Sequence, residues 1–245
     1  MFFLTQTEPS KFVQFFLDIW QAFYKSFLKD QRYLIYLEGF GNTILIAIGA
    51  GLLGLILGFL VTTIRLAPKN HVVIRILDKI CSLYVTVIRG TPVVLQLLIM
   101  YFVVLRSINS IGGGIPVAIL TFGLNSGAYM TEIIRGGILA IDKGQMEAGR
   151  SLGFNWIQSM WYIVLPQGLK NALPTMFNEF IMLVKETSVA GYVAIIDLTK
   201  ASQIVTSQAF EVFTPLCIIA VIYLIVVLGL QKLQKSMERR LRRGD

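Results

Sequence analysis

The stretch Glu147-Ala148-Gly149-Arg150-Ser151-Leu152-Gly153 opens the longest polar-rich interval of the chain, which continues to Pro174. Strongly apolar sequence lies on both sides of this interval, and the rest of the chain is organised around it. The residues from Glu147 to Leu152 predict a short helix, and Gly153 supplies the left-handed residue at which helices commonly stop. The pattern therefore indicates an ordered segment rather than a plain connecting loop.

A second short helix is predicted directly after this stop. Asn155 is a candidate N-cap, and the apolar residues that follow recur at the helical period until Pro166 disturbs it. These apolar residues are Trp156, Met160, Ile163 and Val164. Two short helices joined at a glycine, between membrane-spanning segments, form a rigid surface that is suited to docking into a partner protein.

The composition is that of an integral membrane protein. Of the 245 residues, 55% are hydrophobic and only 15% are charged, and the mean hydropathy is +0.69. An ordinary soluble domain is about 45–50% apolar and about 25% charged. The net charge of +8 does not point to nucleic acid, because the basic residues stand in short clusters beside apolar runs. That placement is typical of the cytoplasmic flanks of membrane spans and of binding to anionic lipid.

The apolar runs predict an all-α, polytopic membrane bundle with about five transmembrane helices. The predicted spans are 41–64, 80–105, 115–139, 175–196 and 215–230. Basic residues cluster after the first span and in the tail, so the positive-inside rule places the N-terminus outside and the C-terminus in the cytoplasm. The docking interval then also lies on the cytoplasmic side. A short glycine-rich turn at 107–114 is expected outside.

Three regions are expected along the chain. Residues 38–232 form the transmembrane domain, which contains the docking interval at 143–174, and residues 233–245 form a basic cytoplasmic tail. Residues 1–37 mix aromatic and charged side chains, which fits either an interfacial helix or a helix packed on the bundle. The first residues lack the basic and apolar regions of a cleavable signal peptide, so none is expected.

Nothing in the sequence suggests an enzyme or a bound cofactor. Gly112-Gly113-Gly114 lacks the lysine of a phosphate-binding loop, so the chain is not expected to hydrolyse ATP. No ligand set for a metal and no nucleophile elbow is present. Cys81 and Cys217 are far apart in or near apolar segments and are expected to be two buried thiols, while His71 lies alone in a basic loop.

Two interruptions of the apolar runs are candidate pathway elements. Arg89-Gly90-Thr91-Pro92 must break a helix at membrane depth, which is tolerated where protein or a water-filled cavity covers the backbone. This break is either a gate or a kink neutralised by a neighbouring carboxylate. The third span contains Asn125-Ser126-Gly127-Ala128-Tyr129 and then Glu132 and Arg135, whose spacing predicts a local ion pair.

The fourth predicted span carries the most polar groups. Each ionisable group at the bilayer centre costs about 2.5–3.5 kcal/mol, so these groups are expected to face the bundle interior. They are Asn178, Glu179, Lys185 and Glu186, followed by Thr187, Ser188 and Gly191. Glu179 and Glu186 share one helical face. A broken helix of this kind is where transporters place a substrate site, although a salt bridge within the bundle remains the alternative.

The motifs quoted above also resemble a known family. Glu147-Ala148-Gly149 with Gly153 and Leu165-Pro166, with glycine at 149 where alanine is common, resembles the EAA loop of permease subunits of ATP-binding-cassette (ABC) importers. Further motifs resemble the polar amino acid branch of that family. They are Gly144-Gln145-Met146-Glu147, Leu165-Pro166-Gln167, Arg89-Gly90-Thr91-Pro92 and Lys185-Glu186-Thr187-Ser188. The resemblance covers roughly residues 38–232.

The resemblance implies the transmembrane domain of a type I ABC importer in a bacterial plasma membrane, which works by alternating access. Its partners would be two ABC ATPase subunits that bind ATP with Mg²⁺, a second permease subunit, identical or similar, and an extracytoplasmic amino-acid-binding protein. The ATPase would dock on Glu147, Ala148, Gly149, Arg150, Leu152 and Gly153. The path would be lined by Arg89, Thr91, Asn125, Ser126 and Tyr129. Substrate would contact Glu186 with Lys185, Thr187 and Ser188, and Asn178 and Glu179 complete the candidate set.

A buried cation and anion would suit the main-chain end of an amino acid. Family members often carry aspartate or asparagine where this chain has Glu186, and the longer carboxylate could receive a cationic side chain of arginine, lysine or histidine. Glutamine is the other substrate that the resemblance implies. Two rival functions remain at this point, an ion-gradient-driven secondary amino-acid transporter and a non-transporting membrane scaffold.

Overall fold

The computed structural model describes residues 11–106 and 113–242, with side chains to residue 240, and over these ranges the chain contains no β-strand. The expectations about a signal peptide and about most of the turn at 107–114 lie outside the described residues. The end of the basic tail does so too.

Ten α-helices account for most of the described chain, several of them extended by a π-helical or 3₁₀ turn. They are α1 (Lys11–Phe23), α2 (Tyr33–Leu66), α3 (Val72–Arg89), α4 (Val93–Ile99), α5 (Gly114–Leu139), α6 (Lys143–Ser151), α7 (Trp156–Ser159), α8 (Leu165–Glu186), α9 (Leu198–Ala209) and α10 (Phe213–Arg242). π-helical turns follow α1 (Tyr24–Leu28), α4 (Met100–Val104) and α7 (Met160–Val164), and a 3₁₀ turn (Thr187–Val193) follows α8.

The first spanning helix begins earlier than its apolar run indicates. α2 starts at Tyr33 rather than near residue 41, so the expected boundary at 37/38 falls inside a helix. The reason is tertiary packing: Tyr36 is only 2% exposed and belongs to an apolar cluster with Leu198 and Val205 of α9. α1 has no buried residue, and both of its predicted placements, at the membrane interface or packed on the bundle, stay predictions.

α2 and α5 form the centre of the bundle, and α5 in turn packs on α8. Their close approach depends on small residues. A Cβ on Gly54 would lie 2.8 Å from Cβ of Ser126, too close for any larger side chain to fit without movement. The small-residue pattern of the first span therefore serves packing within one chain. Phe122 of α5 and Ile46 of α2 lie in the main apolar core, each 0% exposed.

Three helices of the described chain are long and apolar enough to cross a membrane: α2, α5 and α10. α3 and α4 with its π turn would make a fourth span as a bent pair. α5 matches its predicted limits within one residue. The remaining predicted crossing corresponds to α8, whose charged residues lower its hydropathy.

The structure corrects two predicted boundaries. The helical period is disturbed before Pro166, as predicted, by the π-helical turn Met160–Val164, but the helix does not end there, because Pro166 lies in the first turn of α8. α7, its π turn and α8 consequently run on as one helical segment, and the fourth spanning helix starts at Leu165 rather than near 175. α3 begins at Val72 instead of residue 80, so this helix starts well before the apolar run.

Candidate functional site

The docking segment, defined here as residues 142–164, is fixed at each of its turns. The side chain of Asp142 accepts a hydrogen bond from a backbone N–H in the first turn of α6. Gly153 has φ +90°, a conformation that favours glycine, so the predicted helix stop is confirmed. Asn155 and Gln158 then form a capping box of two reciprocal 2.9 Å hydrogen bonds, each between one side chain and the other backbone N–H.

The residues predicted to dock divide into an exposed set and one buried position. The exposed residues are Glu147, Ala148, Arg150, Leu152 and Gly153, and Leu152 is 78% exposed. Gly149 is buried, and a Cβ there would lie 2.7 Å from Cδ1 of Ile163 and 2.8 Å from Oγ of Ser159. Gly149 therefore faces the chain itself and allows α6 to lie close to the helix that follows.

The predicted break at Arg89-Gly90-Thr91-Pro92 is confirmed as a bend of 107° between α3 and α4 with its π turn. Gly90 N–H still donates to the carbonyl of Thr86 at 2.9 Å. The Thr91 hydroxyl donates to the carbonyl of Val87, also at 2.9 Å. Proline has no N–H to continue the helical pattern, so the chain leaves the axis of α3 here.

Gln96 of α4 contacts this bend, and the sequence analysis did not single it out. Its Nε2 lies 2.7 Å from the carbonyl oxygen of Ile88 and 3.1 Å from that of Thr91. Its Oε1 accepts a hydrogen bond from Nδ2 of Asn125 at 3.0 Å. The signal that could have identified it is local: Gln96 is the only amide or charged residue in the apolar run 93–105.

A polar centre lies where α3, α5 and α8 approach one another. The guanidinium carbon of Arg89 is 5.1 Å from the centroid of the Tyr129 ring. Glu179 is buried, 8% exposed, and lies within the electrostatic influence of Arg89 and Glu186. The Ser126 hydroxyl nearby is buried and has no hydrogen-bond partner within the described chain. The structure thus brings together residues from three predicted stretches that are far apart in sequence.

Other predicted substrate residues lie outside this centre. Asn178 and Lys185 are exposed on the adjoining face of α8. The Thr187 hydroxyl is buried and donates to the carbonyl of Val184 at 2.8 Å, which makes it part of the helix end. Ser188 is half-buried in the 3₁₀ turn. The described geometry therefore concentrates the candidate substrate contacts on Glu179 and Glu186.

A second charged cluster joins α2 to α5. The predicted pair of Glu132 and Arg135 is confirmed, with Oε2 and Nη2 2.5 Å apart. Arg65, in the last turn of α2, pairs with the other carboxylate oxygen of Glu132. Glu132 therefore pairs with Arg135 on its own helix, α5, and with Arg65 on α2.

Asp197 lies in the connection between α8 and α9, outside the spanning helices, and is 0% exposed. It caps α9, because its Oδ1 accepts the backbone N–H of Lys200 at 2.8 Å. Its Oδ2 has no hydrogen-bond partner within the described chain. Burial raises the pKa of Asp197 to about 6, against the opposing effect of the backbone hydrogen bonds.

Within residues 11–106 and 113–242 no group of three His, Cys, Asp or Glu side chains is arranged to hold a metal ion. Both cysteines are free thiols; Cys81 is buried as expected, whereas Cys217 is exposed on the surface of the chain, so the expectation of burial is wrong for Cys217.

Comparisons with known proteins agree over most of the chain. Residues 54–243 match the family model described as binding-protein-dependent transport system inner membrane component. The arginine transport system permease protein ArtQ of Bacillus subtilis is 35% identical over 209 residues, which cover 85% of this chain and 93% of that protein. The glutamine transport system permease protein GlnP of Escherichia coli K12 is 32% identical over 213 residues, with coverages of 85% and 93%.

Solved structures show the same architecture. A chain from the crystal structure of an amino acid ABC transporter with histidines has a TM-score of 0.78 and 34% identity, covering 87% of this chain and 98% of that one. A chain of the inward-facing methionine ABC transporter MetNI has a TM-score of 0.72 over 87% of this chain and 99% of that one. Its 19% identity supports the fold alone.

Proposed function

Because this chain belongs to the family of binding-protein-dependent transport system inner membrane components, we propose that it is the permease subunit of an ATP-driven amino-acid importer. A component of this family is a multi-pass membrane protein and a transporter rather than an enzyme. The proposal adds import of a polar amino acid by alternating access, with ATP hydrolysed elsewhere in the complex. The observation that carries it is the docking segment, which is ordered and capped and exposes Glu147, Arg150 and Leu152 between two bundle helices.

The partners follow from the docking segment and the family. Two ATPase subunits would each bind Mg²⁺-ATP and engage one docking segment through Glu147, Ala148, Arg150, Leu152 and Gly153. A second permease subunit, identical or similar, would complete the path, and an extracytoplasmic binding protein would deliver the amino acid. The chain itself would hold no cofactor.

The polar centre is the proposed substrate site. Glu179 and Glu186 would attract an ammonium group, and Arg89 over Tyr129 would attract a carboxylate. Thr91, Asn125 and Ser126 would line the path beside them. Two carboxylates favour a cationic amino acid such as arginine, lysine or histidine, and glutamine is the second candidate, in line with the arginine and glutamine systems of the relatives.

The transport experiment uses the complex purified with its neighbouring ATPase and binding protein and reconstituted in vesicles. Uptake of labelled arginine, lysine, histidine and glutamine is measured with and without ATP. We expect uptake to depend on ATP. In Glu179→Gln and Glu186→Gln, the uptake of arginine, lysine and histidine should fall more than the uptake of glutamine. Uptake driven by a cation gradient without ATP would overturn the proposal.

The proposed orientation places the N-terminus outside and the docking segment in the cytoplasm. It is tested with Leu152→Cys and Phe213→Cys, two exposed positions, in a background that lacks Cys81 and Cys217. A membrane-impermeant thiol reagent added to intact cells should label position 213 and spare position 152 until the membrane is opened. Labelling of position 152 in intact cells would contradict the orientation and the docking role together.

A further inference from the structure

The bend after α3 leaves carbonyl groups without helical partners. The last four carbonyls of an α-helix have no N–H within the helix to bond, and buried ones need another donor. At this bend the carbonyl of Thr86 accepts the N–H of Gly90, and the carbonyl of Val87 accepts the Thr91 hydroxyl. The carbonyl of Ile88 and that of Thr91 are instead within hydrogen-bond distance of one donor, Nε2 of Gln96.

The Gln96 side chain is therefore a cap for the broken helix, supplied from the far side of the break. Its Nε2 is also 2.8 Å from Oγ1 of Thr91, so two N–H groups are shared among three acceptors. The backbone N–H of Gln96 donates to the carbonyl of Pro92 at 3.1 Å and starts α4. Side chain and backbone of one residue thus fix both arms of the bend.

The same amide ties the bend to α5. Oε1 of Gln96 accepts from Nδ2 of Asn125, which is only 3% exposed. One helical turn further along α5, Tyr129 lies under the guanidinium of Arg89, the last residue of α3. The bend and α5 are therefore joined at two points, by an amide pair and by a cation over a ring.

We propose that Gln96 is a positioning residue, which sets the α3–α4 bend against α5 and thereby holds Arg89 over Tyr129 in the translocation path. Only a neutral amide of this length offers N–H donors for the carbonyls of the bend and a C=O acceptor for Asn125. The consequence for transport rests on the proposed function, whereas the consequence for the bend does not.

The first experiment measures the bend directly. Spin labels are placed at Leu83→Cys on α3 and Val103→Cys after α4, both exposed, in the purified full complex without Cys81 and Cys217. We expect Gln96→Leu to broaden the distance distribution and to shift its maximum. Gln14→Leu, the same change at an exposed site on α1, should leave the distribution unaltered.

Two further variants separate the cap from the tie to α5. Gln96→Glu keeps an acceptor for Asn125 but faces the carbonyls of the bend with an oxygen, so it should alter the distribution as Gln96→Leu does. Asn125→Ala removes only the tie and should leave the distance within the bend unchanged. If both Gln96 variants give the wild-type distribution, the proposal is wrong, whatever the complex transports.

The second experiment measures substrate concentration dependence in the reconstituted complex. Gln96→Leu should misplace Arg89 and raise KM for uptake by about 10- to 100-fold, because a misplaced group loses its binding contribution. The ATPase rate without substrate should stay near wild type. Asn125→Ala should raise KM less than Gln96→Leu. A changed bend with unchanged KM would remove the positioning role in transport and leave the proposed importer function intact.

Discussion

The guanidinium of Arg89 lies over the ring of Tyr129, with its carbon 5.1 Å from the ring centroid. Arg89 ends α3 at the bend, and Tyr129 lies in the middle of α5, so this contact joins the two elements that flank the polar centre. An interaction of a cation with an aromatic face contributes about 0.5–2 kcal/mol, more where water is excluded.

Substitutions at position 129 distinguish the contribution of the aromatic ring from that of the hydroxyl group. Tyr129→Phe keeps the aromatic face and should retain uptake and KM near wild type. Tyr129→Leu removes the face and should raise KM by about two- to twelvefold, as expected for a loss of about 0.5–1.5 kcal/mol. The measurement is concentration-dependent uptake in vesicles. Equal KM values for the two variants would show that the ring face does not hold Arg89 in place.

Position 149 should tolerate one methyl group and no more. The atoms nearest to a Cβ on Gly149 include the mobile ends of two side chains, Ile163 Cδ1 and Ser159 Oγ, which can move by a few tenths of an ångström. Gly149→Ala should therefore keep ATPase coupling, helped by a gain of helix propensity of about 1 kcal/mol. Gly149→Leu should push α6 away and uncouple ATP hydrolysis from uptake. Co-purification and ATPase assays with each variant decide this, and normal coupling in Gly149→Leu would contradict the packing.

The two ion pairs of Glu132 should contribute more to the free energy of unfolding than an exposed ion pair does. Glu132→Gln leaves Arg65 and Arg135 without their shared carboxylate and should lower the free energy of unfolding by about 1.5–3 kcal/mol, the usual worth of a hydrogen bond to a charged group. Asp78→Asn is the matched control, because Asp78 pairs with Lys69, whose side chain is 51% exposed, and such pairs contribute about 0–1 kcal/mol. Denaturation in detergent measures both. Equal effects would contradict this ranking.

Asp197 should make the stability of the protein decrease as pH rises, which is the opposite of the usual effect of a carboxyl group. Burial raises its pKa from 3.8 to about 6, so the folded state holds the proton more tightly than the unfolded state. The contribution of Asp197 to the free energy of unfolding is therefore fully present below pH 3.8 and is lost as pH rises through about 6. At about 1.4 kcal/mol per pH unit, the total loss is up to about 3 kcal/mol. Thermal unfolding of the solubilised complex at a series of pH values measures it.

Asp197→Asn is the control for this pH dependence. Asparagine is also a good N-cap, so the hydrogen bond to the N–H of Lys200 can remain. The variant should lose the fall in stability between pH 4 and pH 6 that the wild type shows. An identical pH profile in both proteins would assign the effect to another group.

Local chemistry made several features predictable. Gly90 and Pro92 dictate the break after α3, Gly153 dictates the end of α6, and the uncharged run from Gly114 to Thr131 dictates most of α5. In each case backbone conformation or the length of an apolar run decides the structure without help from distant residues.

Features that depend on contacts between helices were not predictable in the same way. The pairing of Arg65 with Glu132 joins residues 67 positions apart, and no local pattern specifies it. Pro166 was predicted to disturb the helical period, and the chain does leave that period in the π turn before Pro166, but the sequence did not show that the helix continues into α8. The polar side chains of α8 were predicted as a group, but the packing of α5 against one face selects Glu179 for burial and leaves Asn178 exposed.

The continuity of α7, its π turn and α8 has a mechanical consequence. From Trp156 to Glu186 the backbone is helical throughout, a length of about 45 Å at about 1.5 Å per residue. Its first turns belong to the docking segment and follow closely on the residues proposed to contact the ATPase, Glu147 to Gly153, and its second half carries Glu179 and Glu186. A tilt of this helix at its docking end would move both carboxylates, and any bending would concentrate at the π-helical turn Met160–Val164 and at Pro174 inside α8.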